Sequence, residues 1–131
     1  MDSPIRVMIV DDEKDFVYTM EYWLKTKGYN VVTAVNGLEA IETMKKNPVD
    51  IIFLDMHMPV MDGVETLKNI RQSNKDIPVI VITAYTVDEK IKEAEKYGIS
   101  GFFSKDKDFA ESATLIETVL RRHKELKQEK G

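Results

Sequence analysis

The chain has 131 residues, 43% of them hydrophobic and 32% charged, with a formal net charge of -4 and no cysteine. That is one domain's length, and it excludes a second folded unit, disulfides, thiolate metal sites and thiol nucleophiles. The sequence pI of about 5.2 disfavours a chain-wide attraction to nucleic acid, and no stretch approaches the roughly 20 apolar residues of a membrane span.

The N-terminal MDSPIRVMIVDDE has too short an apolar run for a signal peptide. The expectation is a single domain over residues 1–131, soluble and cytoplasmic, with a frayed tail from about residue 125. Missing cysteine suits a reducing cytosol.

Apolar runs and helix-period segments alternate along the chain. Ile5 to Val10 is a continuous β-branched run that stops at Asp11-Asp12, as a strand covered on both faces would. From Glu13 to Lys27, Phe16, Met20 and Leu24 recur at helical spacing beside Trp23, and Gly28 follows as a C-terminal cap. Tyr29 to Val35 is a second strand, and Asn36-Gly37 a turn signal. Leu38, Ile41 and Met44 define a short helix that stops before Pro48. The third strand, Asp50 to Leu54, ends at Asp55, and a loop with Pro59 and Asp62-Gly63 leads to a helix carrying Val64, Leu67 and Ile70. Val79 to Ile82 ends at Thr83. A helix from about Val87 to Tyr97 carries Ile91 and Ala94 inward and closes at Gly98. Gly101 to Ser104 ends at Lys105, and the last helix has Ile116, Val119, Leu120 and His123 on one stripe.

This strict alternation predicts an α/β fold, a doubly wound five-stranded parallel sheet with helices on both faces. Right-handed crossovers bring every strand's C-terminal end to one edge, where ligands bind at the reversal of strand order. In the flavodoxin-like order 2-1-3-4-5, the first and third strands are neighbours there. Asp11, Asp12 and Asp55 then share a crevice with Thr83 and Lys105. Two like charges ~4 Å apart repel by about 4 kcal/mol at an effective dielectric of 20, so the cluster calls for a cation or for shifted pKa values. Few, oxygen-only ligands favour Mg²⁺ or Mn²⁺ over zinc. With a divalent ion and Lys105 to neutralise phosphoryl oxygens, Asp55 is a competent phosphoryl acceptor, and Thr83 can donate to such an oxygen.

The segments IVDDE, FLDMHMPVMDG, VITAY and GISGFFSKD, in order at the strand ends, resemble the receiver domain of two-component response regulators over essentially the whole chain. The resemblance implies that Asp55 is phosphorylated by a histidine kinase or phosphotransfer partner, in a phosphorelay. It implies Mg²⁺ on the side chains of Asp12 and Asp55 and the backbone carbonyl of His57, with Asp11 joining mostly through water. Thr83 and Lys105 would hold the phosphoryl group and Phe102 would be the switch aromatic. Signalling would reach a protein target through the face of helix 4, strand 5 and helix 5, without direct nucleic-acid or membrane contact. The sequence departs from the family in two places. Asp106 stands where proline usually follows the lysine, so a trans bond in a rearranged loop or a strained bond is expected. Phe102 stands where tyrosine is common.

Taken singly, each of these residues has a plainer reading: an Asp pair caps a helix, Thr83 satisfies a loop, and Phe102, Trp23, Met20 and Met44 fill the core. His57 and His123 read as surface residues. Three rival functions share parts of this pattern. A haloacid-dehalogenase-type phosphatase needs a second Asp where His57 stands. A flavodoxin-like cofactor site needs a phosphate loop where DDEKD would repel one. A receiver-like interaction module that works without phosphorylation has no need of Asp55 or Lys105. The chain is not expected to be a conventional enzyme.

Overall fold

The structure is a computed structural model that describes residues 4–84 and 89–130. Among these, β1 (Arg6–Val10), β2 (Asn30–Ala34), β3 (Ile51–Asp55), β4 (Val79–Thr83) and β5 (Gly101–Ser104) alternate with α1 (Lys14–Thr26), α2 (Gly37–Lys46), α3 (Gly63–Ser73), α4 (Glu89–Glu95) and α5 (Ala110–Lys130). The sheet order is β2-β1-β3-β4-β5 and every pair is parallel, as expected from the sequence. The expected start of the fourth helix near Val87, and Tyr85 of VITAY, lie outside the described residues.

Period-two alternation along each central strand divides the core in two. Met8, Val10, Ile52, Leu54, Val79 and Val81 face α2, α3 and α4, where Leu67, Ile70 and Ala94 meet them. Val7, Ile9, Ile51, Phe53, Ile80 and Ile82 face α1 and α5, against Phe16, Met20, Leu24 and Ile116. Sheet burial on both faces explains why β1, β3 and β4 read as unbroken apolar runs. Gly28 adopts a φ of 94° just past α1 and donates its N–H to the Lys25 carbonyl, which is the predicted cap.

The chain bends at Asn36, as the turn signal predicts, and the Asn36 side chain accepts from the Glu39 N–H and caps α2. The buried face of α2 is then Gly37 and Ala40, while Leu38 is 51% exposed. A Cβ on Gly37 would clash with Thr66 Oγ1, so α2 needs small residues to sit this close to α3. The apolar stripe misled because a close helix contact selects for absence of side chain rather than for apolar bulk. The backbone of the last helix is helical to Lys130. Its Lys, Glu, Leu and Gln residues are good helix formers. No described helix is long and apolar enough to cross a membrane.

Candidate functional site

The C-terminal ends of β1, β3, β4 and β5 deliver the expected residues to one edge. Asp11 follows β1, Asp55 ends β3, Thr83 ends β4 and Lys105 follows β5. Register fixes their relative heights. Val10 pairs with Leu54, Asp55 with Ile82, and Thr83 with Ser104. Asp11, Asp12 and Asp55 each place a carboxylate oxygen within 4.8 Å of the others. Asp11 and Asp55 are buried and Asp12 is exposed, so the cluster has a dry floor and one open wall. The His57 N–H donates to Asp55 Oδ1 at 3.2 Å and fixes the carboxylate's rotation.

Lys105 completes the site. Its ammonium lies 2.9 Å from Asp11 Oδ2, 3.2 Å from Glu13 Oε1 and 3.8 Å from Asp55 Oδ2. The peptide bond to Asp106 is trans. The Lys105 N–H donates to the Thr83 carbonyl at 2.8 Å, and the Ser104 hydroxyl donates to the Asp106 carboxylate, so the loop closes without a proline. Glu13 was not foreseen. It stands in the DDE segment and adds a fourth carboxylate to the charge count, and it reaches its partner across 92 positions of sequence.

Charge is imperfectly compensated here. Burial and repulsion from Asp11 push the Asp55 carboxyl up to about 7, against the opposing pull of the His57 N–H and Lys105. Burial alone would lower the Lys105 pKa, but Asp11, Asp55 and Glu13 outweigh it and hold it above the usual lysine value. Asp11 Oδ2 is buried with no hydrogen-bond donor aligned on it, its contact with the ammonium being ionic only. An orphaned oxygen beside a repelled carboxylate is an arrangement that a small hard cation would relieve.

The family model described as the response regulator receiver domain matches residues 7–117, which span all four of these strand ends. The chain belongs to that family. The receiver is 32% identical over 115 residues to the sporulation initiation phosphotransferase F of Bacillus subtilis, which covers 88% of this chain and 93% of that protein. It is 36% identical over 118 residues to the transcriptional regulatory protein PrrA of Mycobacterium tuberculosis, but spans only 50% of that longer protein. Among solved structures, the chemotaxis protein CheY4 of Vibrio cholerae superposes with a TM-score of 0.84 at 30% identity, over 89% of this chain and 99% of that one. Two-component signalling and the flavodoxin-like fold follow from membership. Receiver domains are signalling domains that work with histidine kinases or phosphotransfer partners, and the acidic cluster could hold a metal.

Phe102 lies on the outer side of β5 and is 49% exposed, whereas Phe103 is buried. Beside it, a groove of about 300 Å³ runs from Thr83 past Ser104 to Lys107 and Leu115. His57 is exposed and His123 half-buried. Met20 is fully buried, and Trp23 and Met44 pack partly buried against the two cores, in keeping with their plainer reading.

Proposed function

We propose that this receiver is a phosphorylation-controlled switch whose phosphoacceptor is Asp55. The observation that carries the reading is the convergence of Asp11, Asp12, Asp55 and Lys105 within ion-pair and ligand distances. The carboxylates of Asp11, Asp12 and Asp55, together with the His57 backbone carbonyl, would hold Mg²⁺, or Mn²⁺ in its place, with Asp11 reached mostly through water. Bound there, the ion supplies positive charge to the cluster and to a transferring phosphoryl group.

The transfer itself is an in-line displacement. An Asp55 carboxylate oxygen attacks phosphorus on the phosphohistidine of a kinase or phosphotransfer partner. The O–P bond forms as the P–N bond breaks, and the electron pair leaves on the imidazole nitrogen, which is protonated from solvent. Asp55 must be ionised to attack, and neutralisation of its neighbours returns its pKa towards the ordinary carboxylate range. Lys105 then pairs with a phosphoryl oxygen. Thr83 turns its hydroxyl to another oxygen, and Phe102 moves from its exposed position toward the adjoining groove. The surface of α4, β5 and α5 changes shape, and a protein target reads the change. A few kcal/mol of differential affinity is enough to move such an equilibrium.

Incubation with Mg²⁺ and acetyl phosphate should raise the intact mass by one phosphoryl group. Asp55→Asn should abolish the adduct, and Asp12→Ala should lower magnesium affinity and labelling together. Labelling that persists in EDTA, or none where a control receiver is labelled, defeats this reading.

A further inference from the structure

A lysine at the end of a flexible stem must be aimed as well as attracted. The Lys105 backbone is fixed at the Thr83 carbonyl, but its ammonium is shared among three carboxylates at 2.9, 3.2 and 3.8 Å. The closer contacts with Asp11 and Glu13 hold it away from Asp55. One further contact is of another kind: the ammonium stands 5.0 Å above the centroid of the Phe16 ring. Lys105 is only 15% exposed at its side chain, so the ring acts on a partly desolvated cation.

Phe16 is itself held. Its ring centroid is 5.8 Å from that of Phe109 and 6.5 Å from that of Phe103, and Phe103 meets Phe53 edge-on at 6.1 Å. Phe103 of β5 and Phe109, in the turn just before α5, flank the Phe16 ring of α1, and Phe53 of β3 backs Phe103, so the face under the ammonium has its orientation set by its surroundings. Attraction to a ring face has no preferred in-plane direction. An ammonium can therefore slide across it toward Asp55 without leaving it, which a carboxylate contact does not permit.

We propose that Phe16 is a positioning residue for Lys105, its ring forming a floor over which the ammonium moves from Asp11 and Glu13 to a phosphoryl group on Asp55. This rests on the reading of Asp55 as phosphoacceptor. The test compares wild type, Phe16→Leu and Phe16→Tyr in Mg²⁺-dependent labelling by acetyl phosphate, with magnesium affinity measured by calorimetry. Phe16→Leu keeps an apolar core side chain but loses the ring, and should cut the saturating rate about fivefold with magnesium affinity unchanged. Phe16→Tyr keeps the ring and should recover most of the rate. Independently of labelling, the Lys105 ε-methylene protons should show an upfield ring-current shift in wild type and Phe16→Tyr, lost in Phe16→Leu. Equal rates in wild type and Phe16→Leu, equal losses in both variants, or no upfield shift in wild type overturns the positioning role. Wild type that shows the shift but never labels overturns the phosphoacceptor reading instead, and removes the reaction in which Phe16 was to act.

Discussion

Val60 has a φ of 72°, a left-handed conformation that β-branched residues rarely adopt, and its side chain is 78% exposed. The Met61 N–H donates to the Pro59 carbonyl at 2.8 Å and closes a three-residue turn around it. Such a residue costs on the order of 1–3 kcal/mol and gains nothing from burial. Val60→Gly should therefore stabilise the protein by ~1 kcal/mol, seen as a higher urea midpoint at constant slope; an unchanged or lower midpoint would mean the turn is unstrained. Asp55 makes a second residue-scale prediction for metal-free protein. Its folded pKa of about 7 stands above the ordinary carboxylate value of 3.8, so the native state binds the extra proton. The ionised group then destabilises the fold progressively as pH rises from about 4 to 7. In EDTA, Asp55→Asn should match wild type in stability near pH 4 and exceed it above pH 7. One pKa unit is about 1.4 kcal/mol; discounted for solvent on the open side of the site, the gain is ~2 kcal/mol. Equal pH profiles in thermal melts would refute this.

At the scale of elements, Arg71 joins three of them. From the last turn of α3 its guanidinium donates to the carbonyls of Tyr97 and Gly98 past α4, of Ile77 before β4, and of Asn74. Burial lowers its pKa, with Asp76 opposing, and it stays charged. Arg71→Met retains the stem but leaves these carbonyls without their donor, and should destabilise by about 2 kcal/mol. Urea unfolding would show this as a lower midpoint, and a loss below about 0.5 kcal/mol would mean water replaces the guanidinium freely. Asp62 links the same helices at the other end. It caps α3 through the Glu65 N–H and meets Lys90 of α4 at 2.6 Å. Burial would raise its pKa, but the Glu65 N–H and Lys90 prevail and lower it.

For the molecule as a whole, the sequence displays what depends on periodicity and hides what depends on depth of approach. β1, β3 and β4 are legible because burial on both faces demands continuous apolar runs. Asp11, Asp55, Thr83 and Lys105 could be brought together on paper because parallel topology sends all strand ends to one edge. α2 misleads, since its contact with α3 is made through Gly37 and Ala40. Glu13 and Phe16 show no pattern pointing to Lys105, because contacts between α1 and the loop after β5 exist only once the sheet has closed. Two hydrogen bonds from Arg71 clasp the chain just beyond α4's C-terminal end, and near the opposite end Lys90 meets Asp62 in a partly exposed ion pair. A swing of that helix about Tyr97 and Gly98, like a door on its hinge, would strain that pair, a latch that dissolved salt can loosen.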